Sequence, residues 1–307
     1  LFMELIKPGT NLDFVGKMKP AFSLSLALIV ISVLSVILHG GLIMGIDFAG
    51  GTLVQLKFQK PATVEQIREA LKEVNLQDSV IQDFGYEGNE FLVKTASSTS
   101  ELKGFSDTIE DALATVFARE DFEVRRVEMV GPKVGSDLRQ KGLLSILYAM
   151  IGILIYITWR FEFRYAVGAV AALFHDVIIT VGIFSLLGKE FTLPIVAALL
   201  TIIGYSLNDT IVVYDRIREN RRANIRGDLA LTVNSSINQT LSRTLLTAGT
   251  TLLVVGALFF LGGAVIHDFA FALIVGIVVG TYSSIFIASP TILVWERVRP
   301  ARKKKKG

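Results

Sequence analysis

Six runs of roughly 18 to 25 predominantly apolar residues mark the chain, each long enough to cross a hydrocarbon core of about 30 Å as a helix. They fall at approximately 21–38, 142–159, 165–187, 193–214, 244–263 and 269–294. Between the first and second runs the hydropathy drops for roughly a hundred residues, and the periodicity changes there, in a segment large enough for a small core. Thr52 to Phe58 reads as a strand. Thr63 to Val74 carries Val64, Ile67, Ala70, Leu71 and Val74 at helical spacing. Ser79 to Tyr86 and Glu90 to Thr95 read as short strands joined by a turn at Glu87-Gly88-Asn89. Thr99 to Phe117 is a second helical pattern, with Leu102, Phe105, Ile109 and Leu113 on one face, and Phe122 to Val130 a last strand. The order β-α-β-β-α-β is that of the split ferredoxin-like unit.

The predicted architecture is a polytopic α-helical membrane protein with six transmembrane helices. An α+β ferredoxin-like (βαββαβ) extracytoplasmic domain lies between helices 1 and 2. The divisions are an N-terminal segment at 1–20, helix 1 at 21–39, the outer domain and its linkers at 40–141, helices 2–6 at 142–294, and a basic tail at 295–307. Helix 1 is expected to stay in the bilayer, since no small-residue cleavage site of the Ala-x-Ala kind follows it.

Composition agrees with the pattern. Charged residues are 19% and hydrophobic residues 51% of the chain, against about a quarter charged in a soluble domain, and the mean hydropathy is +0.55. With no cysteine, disulfides and thiolate metal sites are excluded. The net charge of +3 is small, so its placement matters more than its size. Arg160 and Arg164 separate spans two and three. Arg216, Arg218, Arg221, Arg222 and Arg226 separate spans four and five, and Arg297, Arg299, Arg302 and Lys303 to Lys306 follow span six. The opposite loops hold only Lys189. Lysine and arginine favour the cytoplasmic side, so both termini are expected inside and residues 40–141 outside. The tail fixes this topology or meets anionic lipid.

Several spans carry polar residues where lipid would penalise them. His175 and Asp176 lie in span three, and Tyr205, Ser206, Asn208 and Asp209 in span four. Arg243, Thr247, Thr250 and Thr251 lie in span five, and Gly276, Gly280, Ser283 and Ser284 in span six. Each set repeats at helical spacing, so each helix has a small or polar stripe expected to face other helices or a wet crevice. At a rise of 1.5 Å per residue, Asp209 lies about 24 Å below Leu193 and Arg243 about 28 Å below the outer end of its span. That puts them at matched depth towards the cytoplasmic third. Two readings stay open for the pair: a structural ion pair that locks two helices, or a carboxylate that takes up protons beside a fixed cation. His175 and Asp176 likewise suit a packing hydrogen bond or a relay. Asp215, beside Arg216 and Arg218, suits a solvated cap or ion pair. The chain has no Walker motif, hydrolase elbow, metalloprotease helix or dinucleotide fingerprint. An enzyme is not expected, nor a catalytic residue, a metal, a cofactor or a nucleic-acid partner.

The motifs in order resemble a family. Gly45-Ile46-Asp47-Phe48-Ala49-Gly50-Gly51 follows span one, and Val130-Gly131-Pro132-Lys133-Val134-Gly135 precedes span two. Phe174-His175-Asp176 lies in span three, and Gly204-Tyr205-Ser206-Leu207-Asn208-Asp209-Thr210 continues through Tyr214-Asp215-Arg216 to Asn220 in span four. Ser242-Arg243-Thr244 opens span five. This set resembles the SecF family of bacterial protein-export subunits over nearly the whole chain, within the resistance-nodulation-division (RND) superfamily. The resemblance implies a place in the cell inner membrane as half of a unit with SecD. That unit assists the SecYEG channel in the Sec pathway, with YajC as a further partner, and acts on translocating unfolded polypeptide. It implies that protons driven by the proton-motive force pass by Asp209 and Arg243, together with an Asp from SecD. His175, Asp176, Asn208 and Thr247 are candidate supporting residues. Gly50, Gly51, Gly131, Pro132 and Gly135 are candidate hinges or tight junctions between the outer domain and the spans. Two rivals are a small-molecule proton-antiport exporter subunit of the same superfamily and a non-transporting translocon scaffold. The first needs a pocket for which one outer domain of this size has little room. The second makes Asp209–Arg243 a permanent pair.

Overall fold

The computed structural model describes residues 10–83, 89–95, 102–225 and 227–298. The first long helix, α1, is Met18–Leu38, followed by one turn, α2, at Ile46–Ala49. The outer domain then runs β1 Gly51–Phe58, α3 Val64–Lys72, β2 Val80–Asp83, β3 Glu90–Thr95, α4 Leu102–Leu113 and β4 Phe122–Val130. The remaining helices are α5 Pro132–Arg160, α6 Phe163–Leu186, α7 Leu193–Ala223, α8 Leu229–Leu261, α9 Ala264–Ser283 and α10 Ser289–Val298. A π-helical segment at Ser284–Ala288 joins the last two, so that six helical stretches are long and apolar enough to span a membrane.

The sheet order is β2-β3-β1-β4, with every neighbouring pair antiparallel. That is the ferredoxin-like arrangement expected from the element order. Alternation along β1 puts Val54, Leu56 and Phe58 on the covered face. They pack against Ile67, Ala70 and Leu71 of α3 and Ile109 and Leu113 of α4. A capping box starts α3: Gln66 N donates to Thr63 Oγ1 and the Gln66 side chain accepts from Thr63 N at 3.0 Å. The expected turn residues Glu87 and Gly88, the strand end at 84–86, the start of the second helix at 99–101 and the tail beyond Val298 lie outside the described residues.

The helices exceed the apolar runs. α5 begins at Pro132, taking in residues assigned from sequence to the outer linkers, and α8 begins at Leu229, fifteen positions before the expected start of span five at 244. The extra turns are polar, and each supplies its own hydrogen bonds. Asp228 caps α8 by accepting from Ala230 N at 2.8 Å. Asn234 and Asn238 clamp the segment before α1: the amides of Phe14 and Leu12 each donate to one of their side-chain oxygens at 2.8 Å. Apolarity marks where a helix crosses lipid, not where it stops.

Burial sorts the helices. In α6, α7 and the final helical stretch 56% of the most apolar window is buried, against 22% in α1 and 17% in α5 and α8. The first group is therefore the centre of the bundle. The junction with the outer domain is tight. Gly50 has φ +77°, and a Cβ there would lie 3.0 Å from Pro132 Cα. A Cβ on Gly135 would lie 3.1 Å from Gly50 N and from Phe48 O. Gly51 has φ +127°, whereas Gly131 caps α5 in ordinary extended backbone. The loop after α6 completes the junction. Phe191 N donates to Ile43 O at 2.7 Å, Gly45 N donates to Phe191 O at 3.0 Å, and Leu193 N donates to Asp47 Oδ2 at 2.8 Å. Glu190 pairs with Lys94 of β3.

Candidate functional site

Two polar centres lie within the bundle, and they differ in kind. The first surrounds Asp176, fully buried near the middle of α6. Its Oδ2 accepts from Ser206 Oγ of α7 at 2.6 Å and Ser283 Oγ of α9 at 2.8 Å. His175 Nδ1 is 2.9 Å from Asp176 Oδ1, and His175 Nε2 is 3.1 Å from Ser25 Oγ of α1. Close approach makes this possible: a Cβ on Gly280 would lie 2.9 Å from Ser206 Cβ. All polar atoms of the Asp176 carboxylate have partners, so four helices are tied at one point.

The second centre surrounds Asp209 on α7. Its side chain is buried, yet Oδ2 has no hydrogen-bond partner among the described residues. One turn towards Leu193, the buried hydroxyl of Tyr205 is also unpartnered. Thr247 and the Arg243 guanidinium of α8 are the polar groups of that helix near the carboxylate. Among the described residues no ion pair within 4.0 Å joins Asp209 to Arg243. Thr247 Oγ1 donates back to Arg243 O at 3.0 Å.

The polar stripes divide into two groups. Gly168, Ala172, Asp176 and Thr180 of α6, and Gly276, Gly280, Ser283 and Ser284 of α9 and the π segment, are buried. Thr201 and Asn208 of α7 and Arg243 and Thr250 of α8 are exposed, and a Cβ on Gly204 or Gly249 would meet nothing within 4 Å. These α7 and α8 positions are uncovered by the described residues, whereas the α6 and α9 stripes face other helices; the expectation allowed other helices or a wet crevice. Asn208 therefore lies on the open face, while its neighbour Asp209 points inward at the edge of that face. Asp215, at the far end of α7, pairs with Arg160 at 3.2 Å in an exposed position.

Sequence reading did not find Ser25 and Tyr282 as members of the Asp176 centre. Both come from helices whose apolarity gives no sign of it, although the run Ala21, Ser25, Ser32, Ser35 has helical spacing and is buried. The π-helical segment also went unseen. Its signal is Pro290, which has no N–H to give a carbonyl four residues back. The Ser289 hydroxyl instead reaches Ser284 O at 2.8 Å. No group of three or more His, Cys, Asp or Glu suited to a metal occurs among the described residues.

Comparison with known proteins agrees with this architecture. The family described as protein export membrane protein SecD/SecF, C-terminal, matches residues 108–298, and the SecD/SecF GG motif matches 35–62, which includes Gly50-Gly51. A protein translocase subunit SecF from Magnetococcus marinus is 51% identical over 96% of this chain and 95% of its own length. A SecF from Vibrio alginolyticus is 46% identical over 99% of this chain and 97% of its own length. A crystal structure of SecDF, a translocon-associated membrane protein from Thermus thermophilus, superposes with a TM-score of 0.82 at 39% identity over 94% of this chain. The chain spans 39% of the length of that SecDF chain.

Proposed function

The chain belongs to the SecD/SecF family of protein-export membrane proteins, as a multi-pass SecF subunit of a protein translocase, and we propose that it uses the proton-motive force to promote late steps of translocation through SecYEG, as half of a complex with SecD. The observation that carries the proposal is the state of Asp209. A buried carboxylate oxygen and a buried tyrosine hydroxyl without partners, at the edge of an uncovered face, form half of a site. A carboxyl group from a SecD helix seated on the exposed stripes of α7 and α8 would complete it, and a proton would alternate between Asp209 and that group or water. Arg243 stays charged throughout, so protonation of Asp209 changes how strongly α7 and α8 attract each other. Each charge crossing the membrane releases about 2.3 kcal/mol per 100 mV, enough to bias a helix packing equilibrium.

In this reading the protein lies in the bacterial inner membrane with both termini cytoplasmic and the ferredoxin-like domain outside, and YajC joins the complex. The outer domain transmits the change. It is bound to the bundle through Gly50, Gly135 and the loop after α6, so helix repacking reorients it against emerging unfolded polypeptide. The test is precursor translocation driven by an imposed proton gradient in vesicles with the variant Asp209→Asn. Loss of the gradient-dependent part is expected, and wild-type export would refute the proton role. Exchanging the charges at 209 and 243 separates this from a scaffold role, which the exchange would preserve.

A further inference from the structure

We propose that His175 and Asp176 form a second proton-holding site, separate from Asp209, whose occupancy sets the grip of the bundle on α1. Hydrogens can be counted through the cluster. Six contacts form a continuous chain: Ser206–Asp176 at 2.6 Å, Ser283–Asp176 at 2.8 Å, His175–Asp176 at 2.9 Å, His175–Ser25 at 3.1 Å, Ser25–Tyr282 at 3.2 Å and Tyr282–Ala21 O at 2.8 Å. Each contact needs one hydrogen. Ser206, Ser283, Ser25 and Tyr282 bring one each and a neutral imidazole brings one, which is five for six contacts. Ser283 also lies 3.1 Å from Gly280 O, so its hydrogen is already shared.

One further proton completes the chain. Held as imidazolium and carboxylate, the pair donates from Nδ1 to Asp176 and from Nε2 to Ser25. Ser25 is then free to donate to Tyr282, and Tyr282 to the Ala21 carbonyl. Held as imidazole and carboxylic acid, the pair gives the same outward pattern. In both forms the pair is neutral overall, which suits its buried position in α6. Remove the proton and the remaining hydrogen stays between Nδ1 and the carboxylate. Nε2 becomes an acceptor, Ser25 turns its hydrogen to it, and one of the two contacts that tie Tyr282 to α1, at Ser25 or at the Ala21 carbonyl, is left with none.

The consequence falls on α1. Ser25 is where α1 meets both His175 of α6 and Tyr282 of α9, and α1 leads directly into the outer domain. The groups facing the pair otherwise carry no compensating charge. From α7 they are Ser206, with Asp209 one turn beyond; from α9, Ser283 and Tyr282, whose ring stacks on the imidazole at 6.0 Å; from α1, Ser25. Among the described residues, His175 is the ionisable partner in ion-pair range of Asp176.

The full chain in lipid nanodiscs, labelled with nitrogen-15 histidine, gives the test. The chain has three histidines, so His39→Gln and His267→Gln assign the third. Expected is a hydrogen on His175 Nε2 at the acidic end of a titration from about pH 5 to 9, lost at the alkaline end. In Asp176→Asn, which lacks the carboxylate that shares the hydrogen on Nδ1, the transition is altered. Over the same range, after correction for intrinsic exchange, amides at 21–25 of α1 exchange roughly three- to ten-fold faster as the proton leaves, the effect of one ordinary hydrogen bond. If Asp176→Asn does not fold, Ser25→Ala serves instead: the titration persists and the amide response disappears. An Nε2 that keeps one state over the whole range overturns the proposal, as does a titration without any change in α1. Asp209→Asn leaves the titration in place, so failure of the export reading and failure of this one are read separately.

Discussion

Replacing Gly182 by alanine measures how closely α1 is held. An alanine Cβ at 182 would lie 2.1 Å from both Cβ and Oγ of Ser32, and 2.6 Å from Ser32 Cα. Carbon atoms pack at about 3.5 to 4.0 Å, so α1 must retreat by roughly 1 to 2 Å. Rotating the serine does not avoid this, because the backbone carbon itself is in the way. One turn outward, Ser35 Oγ and Ser185 Oγ are 2.9 Å apart, and the retreat breaks that bond as well as the Ser25–His175 contact. Overpacking costs about 1 to 3 kcal/mol, and each interhelical hydrogen bond within a membrane about 0.6 kcal/mol. A loss of roughly 2 to 4 kcal/mol is expected on these grounds. Reversible unfolding in detergent measures it, and Ser32→Gly in the same chain should restore only part, since Cα remains. Gly182→Ala with wild-type stability would show that α1 does not pack on α6 as described.

Other consequences are simpler. Gly50→Ala forces a side chain into backbone of positive φ and extended ψ that is essentially restricted to glycine, and against Pro132, costing about 1 to 3 kcal/mol from the backbone alone; thermal unfolding and protease sensitivity of the 49–52 junction report it. Leu56 is fully buried in the outer domain, so Leu56→Ala should cost about 2 to 5 kcal/mol and show as selective loss of outer-domain amide protection. Thr63→Ala removes a capping box and should cost about 0.5 to 2 kcal/mol by the same measurement. The Lys94–Glu190 pair is partly exposed, so a double-mutant cycle should return no more than about 1 kcal/mol, falling as salt rises.

How far the sequence was legible depended on what each feature requires. Spans, strands and the ferredoxin-like order follow from periodicity alone, and they recur in the structure, with several spanning helices longer and the two outer-domain helices shorter than expected. The extensions were hidden because Asn234, Asn238 and Gln239 read as loop residues until their partners are known. Asp209 and Arg243 stood out because charge in lipid is costly, but sequence could not show that no ion-pair contact joins them in this structure. That fact depends on which way two side chains turn from neighbouring helices. The Asp176 centre was half legible: His175 and Asp176 were visible as a polar pair, whereas Ser25 and Tyr282 are ordinary residues until the folding of α1 and α9 against α6 brings them together. Lys94 and Glu190 lie ninety-six positions apart, and no local pattern joins them.

The contrast between the two centres follows from where they sit. Asp176 is enclosed by four elements of this chain, so everything it needs is supplied internally, and a change in its proton state is felt by those helices. Asp209 sits where α7 and α8 meet an uncovered face, and among the described residues its Oδ2 has no partner. Ser206 and Asp209 are one turn apart on α7, and Ser284 Oγ, bonded to Thr210 Oγ1 at 2.8 Å and donating to Ser206 O at 3.3 Å, bridges that turn to the π segment. That π-helical segment departs from the regular α-helical hydrogen-bond ladder. The same turn lies beside Tyr282 and Ser283. Thr210, next to Asp209, is thus joined through Ser284 and Ser206 to the hydroxyls that hold Asp176, and through His175 to Ser25 of α1.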